Sequence, residues 1–197
     1  MSHRLALVAA LAALALSTAA CAAPADARVP EAPDARTAAA TFSVYDLDAV
    51  WHDQHGAART LASLAGRPVV MAMIYTHCAA SCPLTVATMK RIDAVADGRV
   101  GLVLVSLDPT RDSTRRLAGY AAEHGLDGAR WTLLRGSDDA VRDLAAALGV
   151  RYRRATAAEL AHTNTLTVLD ARGAVVHQTA TLGDAASTID AVRRLLH

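Results

Sequence analysis

The sequence lacks the features that define several large functional classes. Its 197 residues include one Phe, two Trp and four Tyr, and its 20 basic residues are balanced by 19 acidic ones, for a formal charge of +1. With no basic run and few aromatics, the composition argues against nucleic acid as a partner. There is no glycine-rich phosphate loop and no internal repeat, which argues against nucleotide-binding and solenoid architectures. The apolar run Leu5 to Leu16 is too short to span a bilayer comfortably. Cysteine is scarce, with only two of three beyond residue 21, and proline is absent after Pro109.

At 53% apolar and 20% charged, the chain suffices for one well-buried domain and a leader. His3 and Arg4 precede Leu5 to Leu16, and small residues follow up to Cys21, the pattern of an export signal over residues 1–21. Two processing routes fit. Ser17-Thr18-Ala19-Ala20 before Cys21 is similar to a permissive lipobox, with Thr18 in place of the usual Leu, and would expose Cys21 for lipidation and membrane anchoring. The other route is simple cleavage at an Ala-x-Ala site near residues 20 to 23. Either delivers the protein to the periplasm, free or anchored, where two neighbouring thiols face oxidation. Residues 22–40, rich in Ala, Pro and Asp, read as a flexible tether, and the domain occupies 41–197.

Within the domain, short strands are expected around Val44 to Leu47 and Arg59 to Leu61, joined by a turn at Asp53-Gln54-His55-Gly56. Pro68 to Tyr75 is an apolar run suited to a strand buried on both faces. Helix Pro83 to Val95, strand Val100 to Leu107, helix Thr114 to His124 and strand Trp131 to Leu134 follow. Helix Asp138 to Leu148 is capped by Ser137 and closed by Gly149, with Val141, Leu144, Ala145 and Leu148 on one face. Strands Thr165 to Leu169 and Ala174 to Thr179 flank the turn Asp170-Ala171-Arg172-Gly173 as a hairpin, and helix Ala185 to Leu196 ends the chain. This order is that of an α/β thioredoxin-like fold, a mixed central sheet flanked by helices, here with an N-terminal β extension.

The chemistry concentrates at His77-Cys78-Ala79-Ala80-Ser81-Cys82-Pro83, a strand-to-helix turn where free amides and the helix dipole favour thiolates. Three readings are open for the pair: disulfide exchange, a soft-metal site and a structural disulfide. Exchange is usually carried by a Cys-x-x-Cys pair, whereas the three-residue spacer puts Cys82 at i+4, so that two sulfurs can converge on a metal needing a further ligand. His162, in the loop entering the strand Thr165 to Leu169, faces the reactive turn where oxidoreductases of this fold carry a cis-proline. Cys78, Cys82 and His162 make a soft set that suits Cu(I), takes Cu(II) with an added ligand and is incomplete for closed structural zinc. His77 is a candidate fourth or transfer ligand, and Asp108 is a candidate to orient a ligand, its other reading being a plain Asp-Pro turn. His52, His55, His124, His177 and the terminal His197 read as ordinary surface or edge residues.

These segments resemble the Sco/SenC family of copper proteins with thioredoxin-like folds. The likeness rests on Tyr75-Thr76-His77-Cys78 to Cys82-Pro83, Val105 to Pro109 with Arg111-Asp112, Trp131 to Leu134, Leu148-Gly149-Val150 with Tyr152, and Ala161-His162-Thr163 followed by Leu169-Asp170 and Gly173. Ala79 replaces a common proline, the segment from Tyr152 to His162 is short for the family, and Asn164 stands where a larger residue is frequent. The resemblance implies copper held by Cys78, Cys82 and His162, and a metallochaperone, not an enzyme, that helps mature the copper centre of an oxidase subunit or related copper enzyme. The alternative is a thiol-disulfide reductase, with Cys78 and Cys82 as its redox pair, keeping a client's copper-binding cysteines reduced. The peroxidase setting Pro-x-x-x-Thr-x-x-Cys is absent.

Overall fold

The computed structural model describes residues 42–78, 81–126, 128–156, 159–180, 183 and 185–197. The expected leader and tether, with Cys21, lie outside the described residues. The elements in chain order are β1 (Trp51–Asp53), β2 (Ala58–Arg59), β3 (Val69–Ile74), α1 (Cys82–Ala96), β4 (Gly101–Ser106), α2 (Thr114–Glu123) and β5 (Trp131–Arg135). They continue with α3 (Asp138–Ala147), β6 (Tyr152–Arg154), β7 (Leu160–His162), β8 (Leu166–Leu169), β9 (Val175–Thr179) and α4 (Ala186–Leu196). A seven-stranded sheet runs β2-β1-β5-β4-β3-β8-β9, and β6 and β7 form a separate two-stranded ribbon.

The centre of the sheet is parallel, with β3 against β4 and β4 against β5, and β8, β9 and β1 join antiparallel. Every residue of β3 and β4 is buried, as expected for strands covered on both faces. Each fully buried Val, Leu, Ile or Met there contributes about 1.5 to 3 kcal/mol. Helix α1 buries Val86, Met89, Ile92 and Ala96, one helical stripe. In α3, Ser137 Oγ accepts the Ala140 N–H at 3.1 Å, and Gly149, with φ +64°, supplies the left-handed residue that ends the helix. Val141, Leu144, Ala145 and Leu148 are buried, as their spacing predicts.

The N-terminal extension is present but in a different register from the expected one. Val44–Asp46 is a 3-10 turn, not a strand, with Ser43 Oγ accepting the Tyr45 N–H. It is anchored by the Val44 N–H donating to Gly173 O. Gly173 has φ +87° and lies so close to the Tyr45 ring that a Cβ would fall 2.5 Å from it. The strands are instead β1 and β2, and Leu61–Leu64 is a second 3-10 turn. The reason is burial: Trp51 is fully enclosed, and the polar residues after it are satisfied internally. Asp53 accepts the His55 and Ala57 N–H groups and Arg59 Nε, each at 2.9 Å. Gln54 donates to Trp131 O and accepts from the Leu133 N–H, also at 2.9 Å, mimicking a strand neighbour to β5.

The second difference is the short segment from Tyr152 to His162. It holds the β6–β7 ribbon, in register Tyr152↔His162 and Arg154↔Leu160, so His162 ends a strand and is not in a loop. Among the described residues, no helix is long and apolar enough to cross a membrane.

Candidate metal centre

After β3 the chain turns sharply, the Cys78 N–H donating to Tyr75 O at 3.1 Å, and α1 begins at Cys82 with Pro83 in its first turn. Ser81 stands at the N-cap but makes no side-chain cap bond. Its Oγ lies 3.4 Å from Cys78 Sγ, which also accepts the Cys82 N–H at 3.4 Å. The turn is fastened by Asp112, fully buried. Asp112 accepts the Thr76 N–H at 3.1 Å, Thr76 Oγ1 at 2.6 Å and Ser106 Oγ at 2.6 Å. Arg116 donates to Thr76 Oγ1 and Thr76 O. Asp112 was visible in the sequence only as part of an Arg-Asp pair after Asp108-Pro109; its role depends on bringing the ends of β3 and β4 together.

The ligand atoms of Cys78, Cys82 and His162 lie within 4.8 Å of one another, the one such group of three among the described residues. Metal–sulfur and metal–nitrogen bonds of about 2.3 and 2.0 Å can bridge that spacing with a small inward shift. His162 is prepared as a donor. Its Nδ1 lies 3.2 Å from Thr163 O, and because a carbonyl only accepts, Nδ1 carries the proton. Nε2 then presents its lone pair, and it is buried with no hydrogen-bond partner among the described residues. Such anchoring of one ring nitrogen is how proteins fix a ligating histidine. The ring packs edge-on against Tyr75, centroids 5.8 Å apart at 76°. Two soft sulfurs and a bare imidazole nitrogen converge as a soft-metal donor set.

The two thiols are unequal. Burial pushes the Cys78 thiol up, but hydrogen bonds from Ser81 and Cys82 outweigh it and bring the pKa down to about 6. Burial pushes Cys82, which is fully enclosed, strongly upward, and the hydrogen bond it gives Cys78 adds to this. Burial and the neighbouring Cys78 also raise Tyr75.

His77 and Asp108 stand outside the three-donor group. His77 lines the cleft with Cys78, Ser81, Glu159 and His162, while its Nδ1 faces Thr76 Oγ1 at 3.2 Å and Asp112 at 3.6 Å. Asp108 is buried at the end of β4, where it pairs with Arg111 and lies 3.5 Å from Arg154 of β6. It thus ties the ribbon that carries His162 to the main sheet. His177 sits in β9 beside Thr188, and His124 against the Tyr120 ring.

Fold and site define a class: a thioredoxin-like protein whose reactive turn offers two unequal thiols to an imidazole on a separate ribbon. The sequence model of SCO1/SenC matches residues 36–197, and the chain belongs to that family. Similar solved structures include a SCO1/SenC family lipoprotein from Bacillus anthracis, 21% identical, TM-score 0.70, covering 78% of this chain and 96% of that one. Bradyrhizobium japonicum ScoI with copper bound is 22% identical, TM-score 0.63, covering 75% and 96%. BsSco, a member of the Sco family of cytochrome c oxidase assembly proteins with an identified disulfide switch, is 21% identical, TM-score 0.66, covering 77% and 93%. No curated protein matches the sequence.

Proposed function

We propose that this chain is a copper-binding metallochaperone of the cell envelope that assists assembly of a copper centre in cytochrome oxidase or a related enzyme. The observation that carries this reading is the convergence of Cys78, Cys82 and the bare Nε2 of His162. Two thiolates and an imidazole favour Cu(I), and Cu(II) with one added ligand. Copper-bound ScoI and the oxidase-assembly role of the Sco family support the metal and the client. The lipoprotein relative supports export and anchoring through Cys21. Because the sulfurs must be reduced and deprotonated to bind, oxidation of the pair gates loading.

A second reading, thiol-disulfide reduction of a client's copper-binding cysteines, is favoured by the inequality of the thiols: a thiolate-prone Cys78 beside a buried, protonated Cys82 suits a nucleophile and its resolving partner. Titration of the reduced protein with Cu(I) against a competing chelator separates the two. One ion per chain is expected, with binding lost in Cys78→Ser and Cys82→Ser and weakened at least about tenfold, or 1.4 kcal/mol, in His162→Ala. Unchanged copper affinity in His162→Ala with reductase activity intact overturns the chaperone reading.

A further inference from the structure

The β6–β7 ribbon has two faces, and the metal centre uses only one. The antiparallel register Tyr152↔His162 and Arg154↔Leu160 places these four residues on the inner face, where Leu160 is buried and Arg154 meets Asp108. Arg151, Arg153, Ala161 and Thr163 therefore face outward. Together with the edges of Tyr152 and His162 they line a hollow of about 360 Å³. Both arginines are exposed, and among the described residues neither guanidinium has a hydrogen-bond or ion-pair partner. None of the described residues lining this hollow is a carboxylate; the ribbon's acid, Glu159, lines the cleft with Cys78, and Asp138 and Arg142 of α3 lie close enough to act on Tyr152. This local excess stands out in a chain whose formal charge is only +1.

We propose that the outer face of the β6–β7 ribbon is the docking surface for an acidic segment of the protein that exchanges copper with the site. The inference rests on the copper-transfer reading for the partner's purpose, and on Arg151 and Arg153 for its chemistry. A docked carboxylate pair sits on the same ribbon that carries His162, at Arg153 of β6 and at Arg151 just before it, so the partner is brought to the ligand joining the site from outside the main sheet. Steering by two guanidiniums reaches only about 8 Å at physiological salt, which confines the effect to a partner whose acids lie next to its copper ligands. The hydrogen bonds that close the ribbon here, the backbone bond from Thr163 N–H to Arg151 O and the bond from Arg151 N–H to the Thr163 hydroxyl Oγ1, do not involve the arginine side chains, so these can be replaced without unpairing the strands.

The test uses the metal-free, full chain and a fluorescently labelled peptide of alternating Asp and Glu without cysteine, read by anisotropy at low salt. The unsubstituted protein is expected to bind it and to ignore a Lys counterpart. Arg151→Gln with Arg153→Gln is expected to weaken binding about tenfold, the paired Lys substitutions to retain it, and Arg193→Gln with Arg194→Gln on α4, the same charge change elsewhere, to leave it unaltered. Absence of binding, equal loss from the α4 pair, or failure of the Lys pair overturns the proposal. So does loss of binding to vesicles with anionic lipids in the ribbon variant while peptide binding persists, which assigns the face to membrane. Copper titration of the Gln pair, expected to match the unsubstituted protein, keeps the two readings separate: failure of copper binding in the parent chain sinks the chaperone proposal and leaves the peptide result standing.

Discussion

The side chains of the site divide into those that react and one that holds the turn for them. Cys78, with its pKa brought down to about 6 by the Ser81 and Cys82 hydrogen bonds, is a thiolate above that pH, while burial keeps Cys82 protonated. Alkylation of the reduced, metal-free protein by iodoacetamide should therefore label Cys78 with a midpoint near pH 6 and leave Cys82 unlabelled through neutral pH, as read by peptide mass spectrometry. Replacing Ser81 by Ala should move that midpoint upward. Asp112 does no chemistry on the ligands, yet it accepts three hydrogen bonds. Asp112→Ala leaves those donors buried without an acceptor, at about 1 to 3 kcal/mol for each unsatisfied group. Urea denaturation should register a loss of at least about 2 kcal/mol. Nothing in the composition around Asp112 announced this role, because its partners Thr76 and Ser106 are distant in sequence and meet it only when β3 and β4 pair.

Among the elements, those with a clear apolar period were legible from sequence: β3 and β4 as unbroken apolar runs, α3 from its cap and stripe, the β8–β9 hairpin from its Gly173 turn. Two short pieces were not. The Val44–Asp46 turn carries residues as compatible with a strand as with a turn, while the true strand β1 ends in a buried acid, Asp53, followed by a buried Gln54, and the partners of both lie across the sheet. The ribbon strands β6 and β7 have three residues each, too few to show a period of two against the run of arginines. The candidate ligands were legible nonetheless, since sulfur and imidazole announce themselves by type; the tautomer-fixing bond from His162 to Thr163 O was not, being a matter of local backbone direction. The same buried polar chemistry yields a pH prediction. Burial raises Asp53, but the Arg59, Ala57 and His55 hydrogen bonds prevail and hold its carboxyl below the usual carboxylate range. A depressed folded value means stability that is present at neutral pH and lost as pH falls through that value. Asp53→Asn should cost about 1 to 3 kcal/mol at pH 7, with the gap from the unsubstituted protein closing in acid, measured by urea midpoints across pH.

On the scale of the whole molecule, binding and folding are linked. An ion that binds the folded chain alone raises its stability by about 2.7 kcal/mol at a hundredfold excess over the dissociation constant. Calorimetry of the reduced protein should show a melting temperature rising with free Cu(I), and of the protein oxidised at Cys78 and Cys82 no such rise.

The separateness of the β6–β7 ribbon carries one more consequence. Two donors belong to the buried turn and first helix, Cys82 being fully enclosed, while the third rides on a pair of short strands, which alone are only marginally stable. Local opening of the ribbon needs no disruption of the main sheet, and its backbone amides should exchange with solvent far sooner than those of β3 and β4. If Cys78, Cys82 and His162 hold the ion as proposed, its lifetime follows the fraying of that ribbon, and substitutions that tighten the core raise heat resistance without lengthening the time the protein keeps its metal.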